Sequence, residues 1–262
     1  MRVGSLDILP IHDGVACVPV TEALRFTGPS DDPFAAHQQF LTADGKLEMA
    51  MGGFAVRVGD RVVLIDAGVG TIDSPPFVGG KLLESLAAVG ISPDDITDVC
   101  FTHLHFDHVS WATQKGKVVF SNATYRCHRA DWAHFVDGED PGSVRKLAPI
   151  ADRMEFWEAD SVLFPGISVT GAPGHTPGST IFVINNGGEQ AMLLGDVVHC
   201  PIELVEDDWE AIFDVDPALA RRTREALSRE LVGKDIPVAA AHFPGLRFGR
   251  LLPGEARRAW QY

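Results

Sequence analysis

The chain has 262 residues, 45% of them hydrophobic and 22% charged, which is ordinary for a soluble globular protein with a sizeable core. Its 36 acidic and 22 basic residues give a formal charge of −14, an argument against nucleic acid and anionic membranes as partners because both need a basic face. Four cysteines, Cys17, Cys100, Cys127 and Cys200, have no C-x-x-C spacing and read as small buried hydrophobes in a reducing compartment.

The first residues lack the apolar core of a signal peptide, and no apolar run approaches the length of a membrane span. The expected location is the cytoplasm. Residues 3–11 alternate loosely as an opening strand, with Asp13-Gly14 as a turn. From 21 to 52 no period is evident. A loop cluster, Gly28-Pro29-Ser30-Asp31-Asp32-Pro33, is followed by scattered Phe34, Phe40 and Met49. The aromatic side chains argue against disorder, so this segment is expected to be a lid over the functional site.

Residues 54–58 and 61–65 flank Gly59-Asp60 as a hairpin, and the second strand runs into Asp66-Ala67-Gly68. Residues 81–89 carry Leu82, Leu83, Leu86 and Val89 at helical spacing, stopped by Gly90. Ser92-Pro93 caps a short helical turn. An apolar run, 96–101, then leads into Thr102-His103-Leu104-His105-Phe106-Asp107-His108. Beyond it come a strand, 124–128, and a helix from Arg129. A second hairpin joins 180–184 to 190–194 through 185–188. The most amphipathic helix of the chain opens at Asp216-Pro217, with Leu219, Thr223, Ala226, Leu227 and Leu231 inward and its arginines outward. No repeat and no linker divides the chain, so a single domain over 1–262 is expected.

Three imidazoles and a carboxylate within six residues are too dense for scattered surface polarity. In an extended segment His103 and His105 project to the same side, and a turn directly after would bring Asp107 and His108 onto neighbouring points. Imidazole with carboxylate suits zinc, iron or manganese rather than calcium or magnesium. Further candidate ligands follow or end later apolar runs: His175 in Pro173-Gly174-His175-Thr176-Pro177-Gly178, Asp196 after Leu193-Leu194-Gly195, and His242 in Ala240-Ala241-His242-Phe243. His12, His37, His128 and His134 fit no such group and read as structural, as does Cys127.

The H-x-H-x-D-H segment, taken with His175, Asp196 and His242 in that order, resembles the signature of the metallo-β-lactamase superfamily, in its hydrolase branch, over about residues 53–249. The resemblance implies an α/β fold, an αββα sandwich with the metals at one edge of its two sheets. It also implies that His103, His105 and His175 hold one metal, that Asp107, His108 and His242 hold another, and that Asp196 bridges them. Asp66 would prop the metal-binding loop without touching a metal. The expected cofactors are two divalent metal ions, zinc foremost. A metal-bridging hydroxide would attack an ester, lactone or related bond of a small, largely apolar substrate.

Asp107-His108 with Asp196, and the run Leu64-Ile65-Asp66-Ala67-Gly68, look most like acyl-homoserine lactonases and methyl-parathion-hydrolase-like enzymes. Two positions depart from that pattern. His199 stands where lactonases commonly carry tyrosine, and Ser179 where many relatives carry histidine. With Asp107 and Asp196, His199 is the expected catalytic group. Phosphotriesterase, thioesterase and iron-dependent oxidoreductase chemistry are the alternatives the same ligand set allows. The oligomeric state is left open, a homodimer being one option.

Overall fold

A computed structural model describes residues 1–255 and 257–262. Two sheets lie face to face. The larger has nine strands, ordered Met154–Trp157, Thr124–His128, Asp98–Cys100, Arg61–Ile65, Lys46–Val58, Leu6–Pro19, Phe77–Val78 and Asp73–Ser74, with Arg2–Val3 paired to Leu6–Pro19 off this path. The smaller runs Ser161–Phe164, Ile167–Gly171, Thr180–Asn186, Glu189–Leu193 and Val238–Ala239. Ile8, Phe54, Val56, Val63 and Ile65 from the first sheet meet Ile167, Phe182, Ile184 and Leu193 from the second, all buried. Helices cover both outer faces. Leu82, Leu86, Trp132 and Leu147 pack on the larger sheet, and Leu204, Leu227 and Leu231 on the smaller. The result is the expected αββα sandwich.

The strands next to the site explain why the candidate ligands gather. Arg61–Ile65, Asp98–Cys100 and Thr124–His128 are mutually parallel, so their C-terminal ends finish at the same edge of the sheet. Glu189–Leu193 and Val238–Ala239 are parallel in the second sheet and deliver their own ends there too. Loops leaving parallel strand ends are where an open α/β sheet builds its sites.

Several elements differ from the sequence expectation. Asp13-Gly14 is a bulge inside one strand, Leu6–Pro19, rather than a turn ending it. The Asp13 carboxylate is turned inward and accepts from the N–H groups of Gly70, Gly80 and Leu82, so the bulge ties the loop at Gly70 to the start of the helix Leu82–Ala88. The segment 21–52 is not irregular throughout, because its last residues begin the strand Lys46–Val58. That strand is buried on both faces and contains Gly52-Gly53, so it shows no alternation to read. Phe26 and Phe34 instead pack on Trp209, at ring distances of 4.8 and 4.5 Å. In the second hairpin the strands extend through Asn186 and from Glu189, leaving only Gly187-Gly188 as the turn. The helix Pro217–Leu231 is capped by Asp216 as expected, but Ala226 is exposed and Arg224 is buried. Its partners, described below, are the reason.

Candidate metal centre

The strand Asp98–Cys100 ends, and the chain runs extended through His103 to His105 before turning into the helical turn Phe106–Val109. His103 and His105 therefore face one point while Asp107 and His108 reach another. His175 arrives from the loop after Ile167–Gly171, Asp196 from the turn after Glu189–Leu193, and His242 from the loop after Val238–Ala239. The turn before Asp196 needs Gly195, at φ +54°, where a Cβ would stand 2.6 Å from the Thr102 side chain.

Two groups of possible metal-holding atoms result: His103, His105, His175 and Asp196 in one, and Asp107, His108 and His242 in the other. In the first, His105 Nδ1 lies 3.0 Å from both His103 Nε2 and His175 Nε2. Asp196 stands between the groups. Its Oδ2 is 3.7 Å from His103 Nε2 and His175 Nε2 and 2.9 Å from His242 Nε2, while Oδ1 is 3.3 Å from His108 Nε2.

The partners of the far ring nitrogens decide what these atoms offer. His108 Nδ1 lies 3.0 Å from the Asp66 carboxylate, and His175 Nδ1 lies 3.2 Å from Asp214. His242 Nδ1 lies 2.9 Å from the Ala50 carbonyl. His103 Nδ1 lies 3.2 Å from Thr102 Oγ1, whose own proton goes to Asp66. Carboxylates and carbonyls only accept, so each of these histidines keeps a proton on Nδ1 and turns Nε2 inward as the atom that would meet a metal. Ring nitrogens gathered 3.0 Å apart must share a proton or hold a cation among them. The donor set therefore fits divalent cations of the zinc type.

Electrostatics agrees. Burial opposes charge on His108, yet the carboxylates of Asp196, Asp66 and Asp107 outweigh it and hold the imidazole well above its ordinary value. The same contest at His242, with Asp196 first among the opposing groups, raises it to about 9. Asp196 is itself buried, which favours its neutral form, but four histidines around it hold it well below the usual carboxylate range. The centre attracts positive charge.

All eight expected site residues meet here. His199 is 2% exposed, with Nε2 3.4 Å from Asp196 Oδ2 and no hydrogen bond to either ring nitrogen among the described residues. Burial pushes its imidazole well below the ordinary value, against the pull of Asp196. Ser179 holds its own loop by bonding to Thr176 and does not face the cavity.

A cavity of about 260 Å³ opens over the centre, lined on its apolar side by Met49, Met51, Phe77, Phe106 and Phe213. Of the segment 21–52, only Met49 and Met51 reach it. Trp111 lies in the core under the larger sheet.

Sequence reasoning missed three buried supports. Asp131 accepts from Leu104 N–H at 3.0 Å, from Gly178 N–H at 2.6 Å and from Thr176 Oγ1 at 3.1 Å, joining the loops of His103 and His175. Asp214 and Arg224 stand behind His175. Each lies far along the chain from its partner, so no local pattern announces it.

The sequence profile of the metallo-beta-lactamase superfamily matches residues 54–242. An N-acyl homoserine lactonase, AiiA, from Bacillus thuringiensis subsp. kurstaki is 27% identical over 153 residues, 57% of this chain and 58% of that protein. The chain thus spans little more than half the length of such relatives. Metallo-beta-lactamase domain-containing protein 1 of Homo sapiens is 26% identical over 218 residues, 82% of this chain and 69% of that one. Among solved structures, AidC, a dizinc quorum-quenching lactonase in complex with a product, superposes with a TM-score of 0.86 at 24% identity, covering 99% of this chain and 95% of its own. The hydrolase AbOPH, in the beta lactamase superfamily, gives 0.88 at 21%, covering 100% and 95%. At such identities these likenesses establish the fold.

Proposed function

The chain belongs to the metallo-beta-lactamase superfamily, and from that premise we propose that it is a dinuclear metal-dependent hydrolase acting on a lactone or ester bond of a small, uncharged, largely apolar substrate. The observation that carries the reading is the convergence of two donor groups on one cavity floor, with Asp196 between them. In this reading His103, His105 and His175 would hold one ion and Asp107, His108 and His242 the other, with Asp196 placed between them. Zinc is the expected metal. When bound, such ions would supply Lewis acidity, which makes water a nucleophile near neutral pH and polarises an acyl oxygen.

The chain's own residues do the rest. Asp66, Ala50, Thr102 and Asp214 fix which ring nitrogen of each histidine faces inward. Met49, Met51, Phe77, Phe106 and Phe213 exclude water from one wall and receive an apolar group. No lysine or arginine lines the cavity among the described residues, which disfavours an anionic substrate such as a glutathione thioester. His199 faces the same cavity, placed to take the proton that the nucleophile releases and to pass it to the departing alkoxide oxygen.

The test is a hydrolysis screen of the metal-loaded protein against lactones, aryl esters, thioesters and phosphotriesters of matched apolar arms. Lactones and esters are expected to lead. Preference for phosphotriesters would move the protein to a different chemistry on the same centre, and oxygen uptake with bound iron would replace hydrolysis by oxidation.

A further inference from the structure

Behind the centre lies a buried charge network built by the helix Pro217–Leu231. Arg224 is 3% exposed. Its Nη2 donates to Asp214 Oδ2 at 2.8 Å, and Asp214 Oδ1 lies 3.2 Å from His175 Nδ1. On its other side Arg224 Nε lies 3.6 Å from Glu203 Oε1. The second oxygen of Glu203 accepts from the backbone N–H groups of His199 at 2.6 Å and Cys200 at 3.0 Å. Arg224 Nη1 also reaches the Val197 carbonyl at 3.4 Å. One guanidinium therefore touches, through two carboxylates and one carbonyl, the loops that carry His175, Asp196 and His199.

We propose that Arg224 is the positioning residue of this centre, setting the ring of His175 through Asp214 and the 197–200 turn through Glu203. Stability alone does not account for the arrangement, because apolar residues of similar volume usually replace a buried ion network at no loss or with a gain. The helix is also held close for this purpose. Gly174, next to His175, approaches so near that a Cβ there would stand 2.3 Å from the Ala220 backbone. Val215 and Asp216 donate to the carbonyls of His175 and Gly174 at 3.0 and 2.9 Å, locking Asp214 in register with the ring it orients. The planar fork of arginine serves two carboxylates at once, which a lysine ammonium cannot reproduce.

The inference rests on the metal-centre reading, and its test keeps the two apart. Cobalt(II)-loaded full-length protein would be compared with Asp214→Asn, Arg224→Met, Arg224→Lys and the Arg224→Met/Asp214→Asn double variant by visible absorption, cobalt stoichiometry against a chelator series, and steady-state kinetics. Asp214→Asn and Arg224→Met should each weaken one of two cobalt ions by roughly 10–100-fold, leaving the other near its original affinity. The double variant should be no worse than the singles, because both cut one chain of contacts. Arg224→Lys should recover the cobalt spectrum while kcat stays low and KM is unchanged, since the Glu203 side remains loose. Nitrogen NMR of the metal-free protein gives a readout that needs neither metal nor turnover. His175 should be the Nδ1–H tautomer in the parent and a mixture in Asp214→Asn. A folded Asp214→Asn or Arg224→Met protein with parental cobalt affinity, or a His175 tautomer identical in all variants, overturns the proposal. Should Arg224→Met fail to fold, Asp214→Asn and Arg224→Lys decide alone. Cobalt binding by the parent without hydrolysis of any substrate tried would sink the hydrolase reading while leaving these outcomes decisive.

Discussion

The Asp66 carboxylate lies 3.0 Å from His108 Nδ1 and also accepts from Thr102, at its N–H and its Oγ1, both at 2.8 Å. It holds these three bonds from a backbone at φ +63°, a conformation that costs a non-glycine residue energy and persists only where the surroundings impose it. Asp196, by contrast, faces atoms of both donor groups. Asp66→Ala is expected to lower kcat/KM by about 10–100-fold with partial metal loss. Asp196→Ala should cost far more and empty at least one site. Elemental analysis beside kinetics measures both, and equal losses would mean that Asp66 and Asp196 do not differ in their contact with metal.

The purified protein should hold close to two divalent ions per chain, and exhaustive chelation should abolish turnover, with recovery on adding zinc. Full activity without metal would remove the basis of the proposed chemistry.

At His199, a Phe substitution is expected to lower kcat by roughly 10²-fold, the lower end for lost general acid–base help, at unchanged metal content. The ring has no hydrogen-bond partner to lose among the described residues, so the fold should tolerate the change. Wild-type kcat and pH profile in the variant would reduce His199 to packing; a missing metal would make it a ligand.

Asp131 joins the two ligand loops through three donors shared between both its oxygens. Removing it leaves buried N–H groups unpaired, so Asp131→Ala should destabilise by about 3 kcal/mol. Asparagine offers only one acceptor oxygen and should rescue little. Urea unfolding of the metal-free protein provides the comparison, and a change under about 0.5 kcal/mol, as for an unremarkable surface site, would contradict this role.

Burial raises the Glu203 carboxyl from an ordinary 4.5 to about 7, against the opposing pull of Arg224. A carboxyl with a raised folded pKa keeps its proton in the native state where the unfolded chain has already released it. Its stabilising effect is complete below about 4.5 and is lost as pH rises to about 7. Relative to Glu203→Gln, the metal-free parent should therefore lose stability across that window and level off above it. A stability difference independent of pH would indicate that Glu203 is ionised throughout.

The sequence by itself determined the candidate ligands and the fold class. Metal chemistry demands specific side chains at short spacings, and His103, His105, Asp107 and His108 sit within six residues where any reading finds them. Strands such as Thr124–His128, hairpins with glycine turns and the Asp216 cap were legible for the same reason, since their causes are local. The both-faces-buried strand Lys46–Val58 was not, because burial on two sides erases the alternation that marks a strand. Nor were Asp131, Asp214 and Arg224. Arg224 sits on a helix whose other arginines face water, and only the approach of Glu203 and Asp214 makes its burial tolerable. Which nitrogen each histidine offers was likewise decided by tertiary structure, because Ala50, Asp66 and Asp214 come from elsewhere in the chain. Ligand identity follows from chemistry written along the chain; ligand orientation follows from buried partners that only folding brings together.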